Sequence, residues 1–250
     1  MLNQRVVNVL QQEPSALYSS MARTSADVME AQRLRYKIFA EEMGAKLSGH
    51  DGLDRDGFDP FCDHLLVRER EYGKVVGTYR ILSPAMANEV GGYYSSGEFD
   101  LNRIEHLFDH TVEVGRACVH RNYRSGSAIA LLWAALARYM QTNRYDTLIG
   151  CASISMADGG HLAASLYNRL KHEYLSPPEY RVFPRCPLPL DALRSDIEDA
   201  PCPALVKGYL RLGAWVCGEP AWDPDFNTAD LLVMLPMSRI NRRYAAHFLK

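Results

Sequence analysis

Residues 26–43 read DVMEAQRLRYKIFAEEMG, and Val28, Ala31, Leu34, Ile38 and Phe39 recur at three- and four-residue steps. That is the period of one helical face, so the spacing predicts an amphipathic helix ended by Gly44. Residues 49–64, GHDGLDRDGFDPFCDH, have glycine and aspartate in place of any apolar period, which predicts a loop with at most one helical turn. The runs HLLVRER and KVVGTYRILS are strand-like, and Glu71, Tyr72, Gly73 and Lys74 between them predict a hairpin. Residues 83–110, with Gly91-Gly92 and Tyr93-Tyr94, read as loop and a short helix. TVEVGRACVH (111–120) is β-branched and alternating, a buried strand, and RNYRSGS turns it into the helix AIALLWAALARYMQT. DTLIGCAS (146–153) then predicts a strand and HLAASLYNRLKHEY (161–174) a helix. This β-α-β-α order requires parallel pairing.

Ten of the 13 prolines fall between 177 and 236, so extended, irregular chain is expected there, not a second helical domain. Within it ALVKGYLRLGAWVCG and TADLLVMLP read as two strands, and SRINRRYAAHFLK as a terminal helix. No repeat or flexible linker interrupts the pattern. The expected organisation is one α/β domain with a mixed sheet over 26–250, a Pro-rich C-terminal elaboration at about 175–236, and an N-terminal extension at 1–25.

Composition narrows this picture. With 250 residues, 47% of them hydrophobic, the chain can build a sizeable core, and a net charge of -2 gives no global field for nucleic acid or an anionic membrane. Six cysteines without a CxxC pair, and a start without a long apolar stretch, predict free thiols in a cytoplasmic protein. The run AIALLWAALA is about half of the roughly 20 residues a membrane helix needs, which leaves peripheral contact with the inner face of the membrane open. GxGxxG, GxxxxGK[ST], GxSxG and HExxH are all absent, so nucleotide redox, NTP hydrolysis, serine-hydrolase and zincin chemistry find no support. DGLDRDGFD invites a calcium reading, but its first ligand position would be Gly52, which has no side-chain oxygen. No metal-ligand set is expected.

Arg35, Phe39, Asp54-Arg55-Asp56-Gly57-Phe58-Asp59, Gly77-Thr78-Tyr79-Arg80, Glu98-Phe99 and Glu113-Val114-Gly115-Arg116 together resemble the ordered signature of the acyl-homoserine-lactone synthase branch of the GNAT acyltransferases. From about residue 30 onward, RLRYKIFAEEMGA, LDRDGFDPFCDHLLV, VEVGRACVHRNYRSG, LIGCASISMADGGH and the tail LVKGYLRLGAWVCGEPAWDPDFNTADLLVMLP resemble more closely still the bacterial L-ornithine Nα-acyltransferases of ornithine-lipid synthesis. The resemblance implies a GNAT-like, mixed, mostly antiparallel sheet flanked by helices, with central parallel strands that splay apart. It implies transfer of a long, 3-hydroxylated acyl chain from acyl carrier protein to the α-amine of L-ornithine, giving lyso-ornithine lipid. The alternatives are the same fold acting on another amino acid or S-adenosylmethionine, and a non-catalytic carrier-binding protein.

The residue types suit such chemistry. Acyl transfer from a thioester to an amine needs an amine that has lost its proton, a polarised carbonyl and an outlet for the thiolate. Glu113, in front of the basic loop, is the candidate general base; the competing reading pairs it with Arg116 or Arg35. The resemblance implies backbone N–H groups at the splayed strands for the carbonyl, and Tyr167, in AASLYNRL, as general acid. In the donor loop Arg121, Arg124, Ser125, Gly126 and Ser127 are the candidate contacts. Ser127 and Ile129 occupy positions where a coenzyme A pyrophosphate loop has glycines. That favours the acyl-phosphopantetheine arm of an acidic carrier protein as donor, with Arg121, Arg124, Arg138 and Arg144 as a docking patch and no permanently bound cofactor. For the acceptor, Arg35, Arg80 or Arg116 would hold the α-carboxylate and Asp54, Asp56 or Asp59 the second ammonium, with Phe39 beside them.

Overall fold

The computed structural model describes residues 16–47 and 51–240. Its main sheet runs, in spatial order, β1 (Leu17–Met21), β2 (Asp63–Glu69), β3 (Val75–Leu82), β5 (Thr111–Val119), β6 (Thr147–Ser155), β10 (Thr228–Pro236) and β8 (Trp215–Val216), with β9 (Ala221–Asp223) also paired to β10. β4 (Phe99–Asp100) and β7 (Phe183–Pro184) form a separate ribbon. Every main-sheet pairing is antiparallel except that of β5 with β6, the mixed sheet expected. β1 corrects the N-terminal boundary: Leu17–Met21 pairs along β2, so the domain includes at least residues 17–25. β10, in the region read as an elaboration, pairs with β6 along its whole length and is integral to the sheet.

Alternation along the strands separates two cores. Val112, Val114, Leu148, Leu231 and Val233 point to one face, under the helices α3 (Ser127–Asn143) and α4 (His161–Leu170). Ile149, Leu232 and Met234 point to the other, against Tyr93, Phe99 and Ile104. On that face Glu113 takes the place of an apolar side chain, since it lies between Val112 and Val114.

The β5–β6 pairing is short. Only Thr111, Val112 and Glu113 pair with Thr147, Leu148 and Ile149. Next to it a Cβ on Gly150 would lie 2.3 Å from the Val114 carbonyl oxygen, so glycine permits the last close approach. Beyond this point β5 takes an extra residue opposite β3, between the partners of Thr78 and Arg80, and Arg116 adopts φ 51°. The β-bulge turns β5 away from β6 and opens the sheet.

The first helix is capped at Thr24, whose hydroxyl accepts from the Asp27 N–H while the Asp27 carboxylate accepts from the Thr24 N–H. α1 (Ser25–Tyr36) continues as a π-helical turn, Lys37–Glu42, and Gly44 ends it at φ 78°. Ala31, Leu34 and Ile38 are buried as the period predicts, but so are Gln32 and Arg35. α2 (Pro84–Val90) is the short helix expected between 83 and 110.

The segment read as the strand ALVKGYLRLGAWVCG is instead α5 (Ala204–Leu212) followed by β8. Its burial follows the helical period, with Val206, Tyr209 and Leu210 inward, and Gly213 closes it at φ 105°. Gly208 lies against the Trp133 indole of α3: an added Cβ would stand 1.9 Å from Trp133 Cη2. Gly208→Ala is therefore expected to cost about 1–3 kcal/mol by overpacking, read as a lower urea midpoint. The predicted terminal helix lies outside the described residues from 241 onward; before it Met237–Arg239 forms one 3-10 turn. Among the described residues no helix is long and apolar enough to cross a membrane.

Candidate active site

Where β5 and β6 part, a cavity of about 770 Å³ passes through the sheet. On the face of Glu113 it is lined by charged and aromatic residues, among them Phe58, Arg80, Tyr94, Arg116, Phe226 and Asp230. On the other face Ile129, Trp133, Leu205 and Gly208 make an apolar wall, and Arg124, Lys207 and Arg211 also line it.

Between α1 and the acidic loop lies a network of arginine and aspartate. Arg35, 0% exposed, donates from Nε to Asp54 at 2.7 Å and from Nη2 to both Asp59 oxygens at 2.9 and 2.7 Å, and also to the Asp54 carbonyl. Arg80 donates to Asp56 at 2.6 Å and Asp59 at 3.4 Å; Arg116 reaches Asp56 at 3.1 Å. Burial alone would raise the pKa of Asp56 and Asp59, but Arg80 and Arg116 beside Asp56, and Arg35 and Arg80 beside Asp59, outweigh it and hold both below the ordinary carboxylate range. The three aspartates picked for an incoming ammonium are thus already engaged by arginines. Arg35 is absent from the cavity wall, whereas Arg80, Arg116 and Phe39 line it. The Arg116 guanidinium lies between Tyr94 and Phe226, 5.0 and 4.7 Å from the ring centroids, and Phe39 meets Phe226 edge-on at 6.1 Å.

Glu113 pairs with neither Arg116 nor Arg35. Its carboxylate accepts from the Tyr94 N–H at 2.6 Å, the Ser95 N–H at 2.8 Å and the Ser95 hydroxyl. Burial pushes its pKa up, with the Ser95 and Tyr94 donors working against the shift. Tyr167, by contrast, packs in the main core and is absent from the cavity wall. Burial raises its pKa and Glu219 adds to the effect.

In the donor loop, Arg124 and Gly126 line the cavity, while Arg121, Ser125 and Ser127 are exposed beside it. Gly126 caps α3 at φ 104°. Arg124 donates to Glu42 at 2.7 Å and to the Val119 carbonyl. The proposed patch of four arginines is divided: Arg144 caps the far end of α3, about 25 Å from Arg124 for a helix of this length. Lys207 and Arg211, hidden from sequence reading by the strand assignment of α5, stand at the cavity instead. Their spacing of four, between apolar positions, was the available signal.

A second acidic group was also missed as a site. Glu98, Cys151 and Asp230 each bring an oxygen or sulfur within 4.8 Å of the others. Asp230 is 4% exposed. The two carboxyls face each other, with Cys151 beside Glu98 and Ser153 and Thr228 beside Asp230. Among the described residues no arginine or lysine forms an ion pair with either carboxyl. Burial, then the facing Asp230, raises the Glu98 pKa to about 9, and burial raises that of Asp230.

Residues 34–134 match the acetyltransferase (GNAT) domain family. The chain is 34% identical over 245 residues to the L-ornithine N(alpha)-acyltransferase of Brucella abortus, spanning 91% of this chain and 87% of that protein. It is 35% identical over 238 residues to the enzyme of that name from Rhodobacter capsulatus, with 90% and 91% covered. Among solved structures, FeeM, an N-acyl amino acid synthase from uncultured soil microbes, superposes with a TM-score of 0.55 at 12% identity, covering 93% of this chain and 94% of that one. TofI, solved with an inhibitor and MTA, gives 0.51 at 13% identity, with 91% and 96% covered. These two likenesses show the fold, which the family match identifies as GNAT.

Proposed function

The chain belongs to the L-ornithine Nα-acyltransferase family of GNAT enzymes, and from that premise we propose that it moves a long acyl chain from acyl carrier protein to the α-amine of L-ornithine, giving lyso-ornithine lipid. The observation that carries this reading is the cavity through the divided sheet, which joins a charged chamber to an apolar channel. A zwitterionic amino acid suits the first and an acyl thioester the second.

In the charged chamber Arg80 and Arg116 receive the α-carboxylate. Glu113 takes one proton from the α-ammonium, directly or through a water. The freed amine attacks the thioester carbonyl and a C–N bond forms; as the C–S bond breaks, the second proton leaves the nitrogen and ends on the released phosphopantetheine thiolate. Developing charge on the carbonyl oxygen falls to backbone N–H groups at the β5 bulge. The apolar wall of Trp133 and Leu205 houses the acyl chain. A carrier protein is favoured over coenzyme A because Ile129 adds bulk where phosphates would need close backbone approach, and because Arg124, Lys207 and Arg211 suit an acidic partner. Contact with the inner membrane face would let the acyl product reach lipid without a spanning segment.

The test incubates purified protein with acyl carrier protein or acyl-CoA donors and a panel of amino acids, with products read by mass spectrometry. Acyl-ornithine formed best from the carrier-bound donor is expected; no acyl-ornithine from it overturns the proposal. In the same assay Tyr167→Phe is expected to keep near-wild-type turnover, because Tyr167 lies off the cavity wall. A loss of about 10²-fold or more would restore it as general acid.

A further inference from the structure

We infer that Asp230, backed by Glu98, is the receptor for the distal ammonium of the acceptor amino acid and sets the enzyme's preference for a diamino acid; the inference rests on the ornithine reading above. Asp54, Asp56 and Asp59 are committed to Arg35, Arg80 and Arg116. Asp230, by contrast, is a buried carboxyl on the cavity wall that no arginine or lysine among the described residues pairs with, and Glu98 stands behind it. Burial keeps Glu98 protonated and hydrogen-bonded to Asp230, and an ammonium with three N–H donors can take the place of that shared proton and satisfy both carboxylates.

The register puts this receptor farther along the cavity than the general base, toward the open end of the β5–β6 gap. Glu113 pairs with Ile149, and Asp230 pairs with Ser153 on the next strand. Cys151 and Ser153 share the sheet face of Ile149 and line the cavity. Ser153 stands four residues, about 13 Å, beyond Ile149 along β6, and Cys151, midway, feels the charges of both Glu113 and Asp230. Arg116 stands three residues beyond Glu113 on β5 and lines the same cavity as Asp230, so a substrate held by its carboxylate at Arg116 extends its side chain toward Asp230. Asp223, Ser153 and Thr228 are the remaining polar groups of the wall there, and Asp223 adds a third acidic side chain. A metal ion is the competing occupant of Glu98, Cys151 and Asp230.

The experiment measures kcat/KM for ornithine and for norvaline, its analogue without the distal amine, in wild type, Asp230→Asn and Glu98→Gln, using metal-analysed, EDTA-dialysed protein. Wild type is expected to prefer ornithine strongly, and each substitution to reduce that ratio by about 100-fold. Because the measure is a ratio, partial misfolding leaves it unmoved. Melting temperatures at pH 8 close to wild type are expected, since the amide in each variant can donate to the remaining carboxylate as the protonated acid does; a purely structural role predicts a fall. Ratios unchanged in both variants overturn the inference while leaving the ornithine reading intact. Stoichiometric metal that survives dialysis, or ornithine preference lost on chelation, also overturns it. No acyl-ornithine from wild type removes the ornithine reading and this inference with it.

Discussion

Glu113→Gln is expected to lower kcat/KM at neutral pH by about 10²- to 10³-fold, the range for losing a positioned general base. The carboxylate is fixed from one side by Tyr94 and Ser95, while its residue lines the cavity at the point where the strands part. Its raised pKa puts the acidic limb of the wild-type rate profile above the ordinary carboxylate range, and the limb disappears in the variant. Glutamine keeps the shape but turns an N–H donor toward one of the donors around it, which costs about 1–3 kcal/mol, so stability must be measured beside rate. The two readouts have opposite signs. A carboxyl whose pKa is raised by folding contributes stability below its unfolded pKa and loses it as pH rises through the folded value. Activity therefore climbs with pH across the window in which Glu113 costs stability, and the variant flattens both slopes. A variant with wild-type turnover and only lower stability would reduce Glu113 to a clamp on the 94–95 turn.

The elements easiest to read were those whose period admits one interpretation. α1, the β2–β3 hairpin, β5, α3, β6 and β10 lie where alternation or the three-to-four step placed them. In α5, Val206-Lys207-Gly208-Tyr209-Leu210-Arg211-Leu212 fits a strand nearly as well as a helix, and the glycine at its centre weakens a helical reading. What decides it is tertiary: Gly208 makes room for Trp133, a side chain from another helix. The site divides in the same way. Chemistry-bearing types in the acidic loop and on β5 stood out, but the choice of which aspartate meets which arginine depends on the folded chain. That choice leaves the loop aspartates occupied and Asp230 open. Asp230 had no signal of its own, a single acid in the alternating run TADLLVMLP. Its meaning comes from Glu98, distant in sequence and brought beside it by the turn before β4.

Arg35→Met is expected to remove about 3–5 kcal/mol of folding stability, the usual cost of breaking a buried ion pair from one side. Set against a typical total of about 5–15 kcal/mol, this leaves a protein that is marginal at 37 °C. Arg35 is fully buried and spans two carboxylates and a main-chain carbonyl of the acidic loop. Arg80 and Arg116 remain near Asp59 and Asp54, but at 3.4 Å and already bonded to Asp56. Lysine at 35 keeps the charge without the planar fork, so Arg35→Lys should fall between the two. Asp59, whose pKa folding depresses, contributes stability above its unfolded pKa of about 3.8, lost as pH falls through the lower folded value. Removing Arg35 narrows that depression, so wild type and variant should draw together on acidification. The decisive measurement is the triple variant Arg35→Met with Asp54→Asn and Asp59→Asn, followed by urea unfolding at pH 7. Recovery of much of the lost stability would identify the orphaned carboxylates as the cost. No recovery would place it in packing around α1, with the charges secondary.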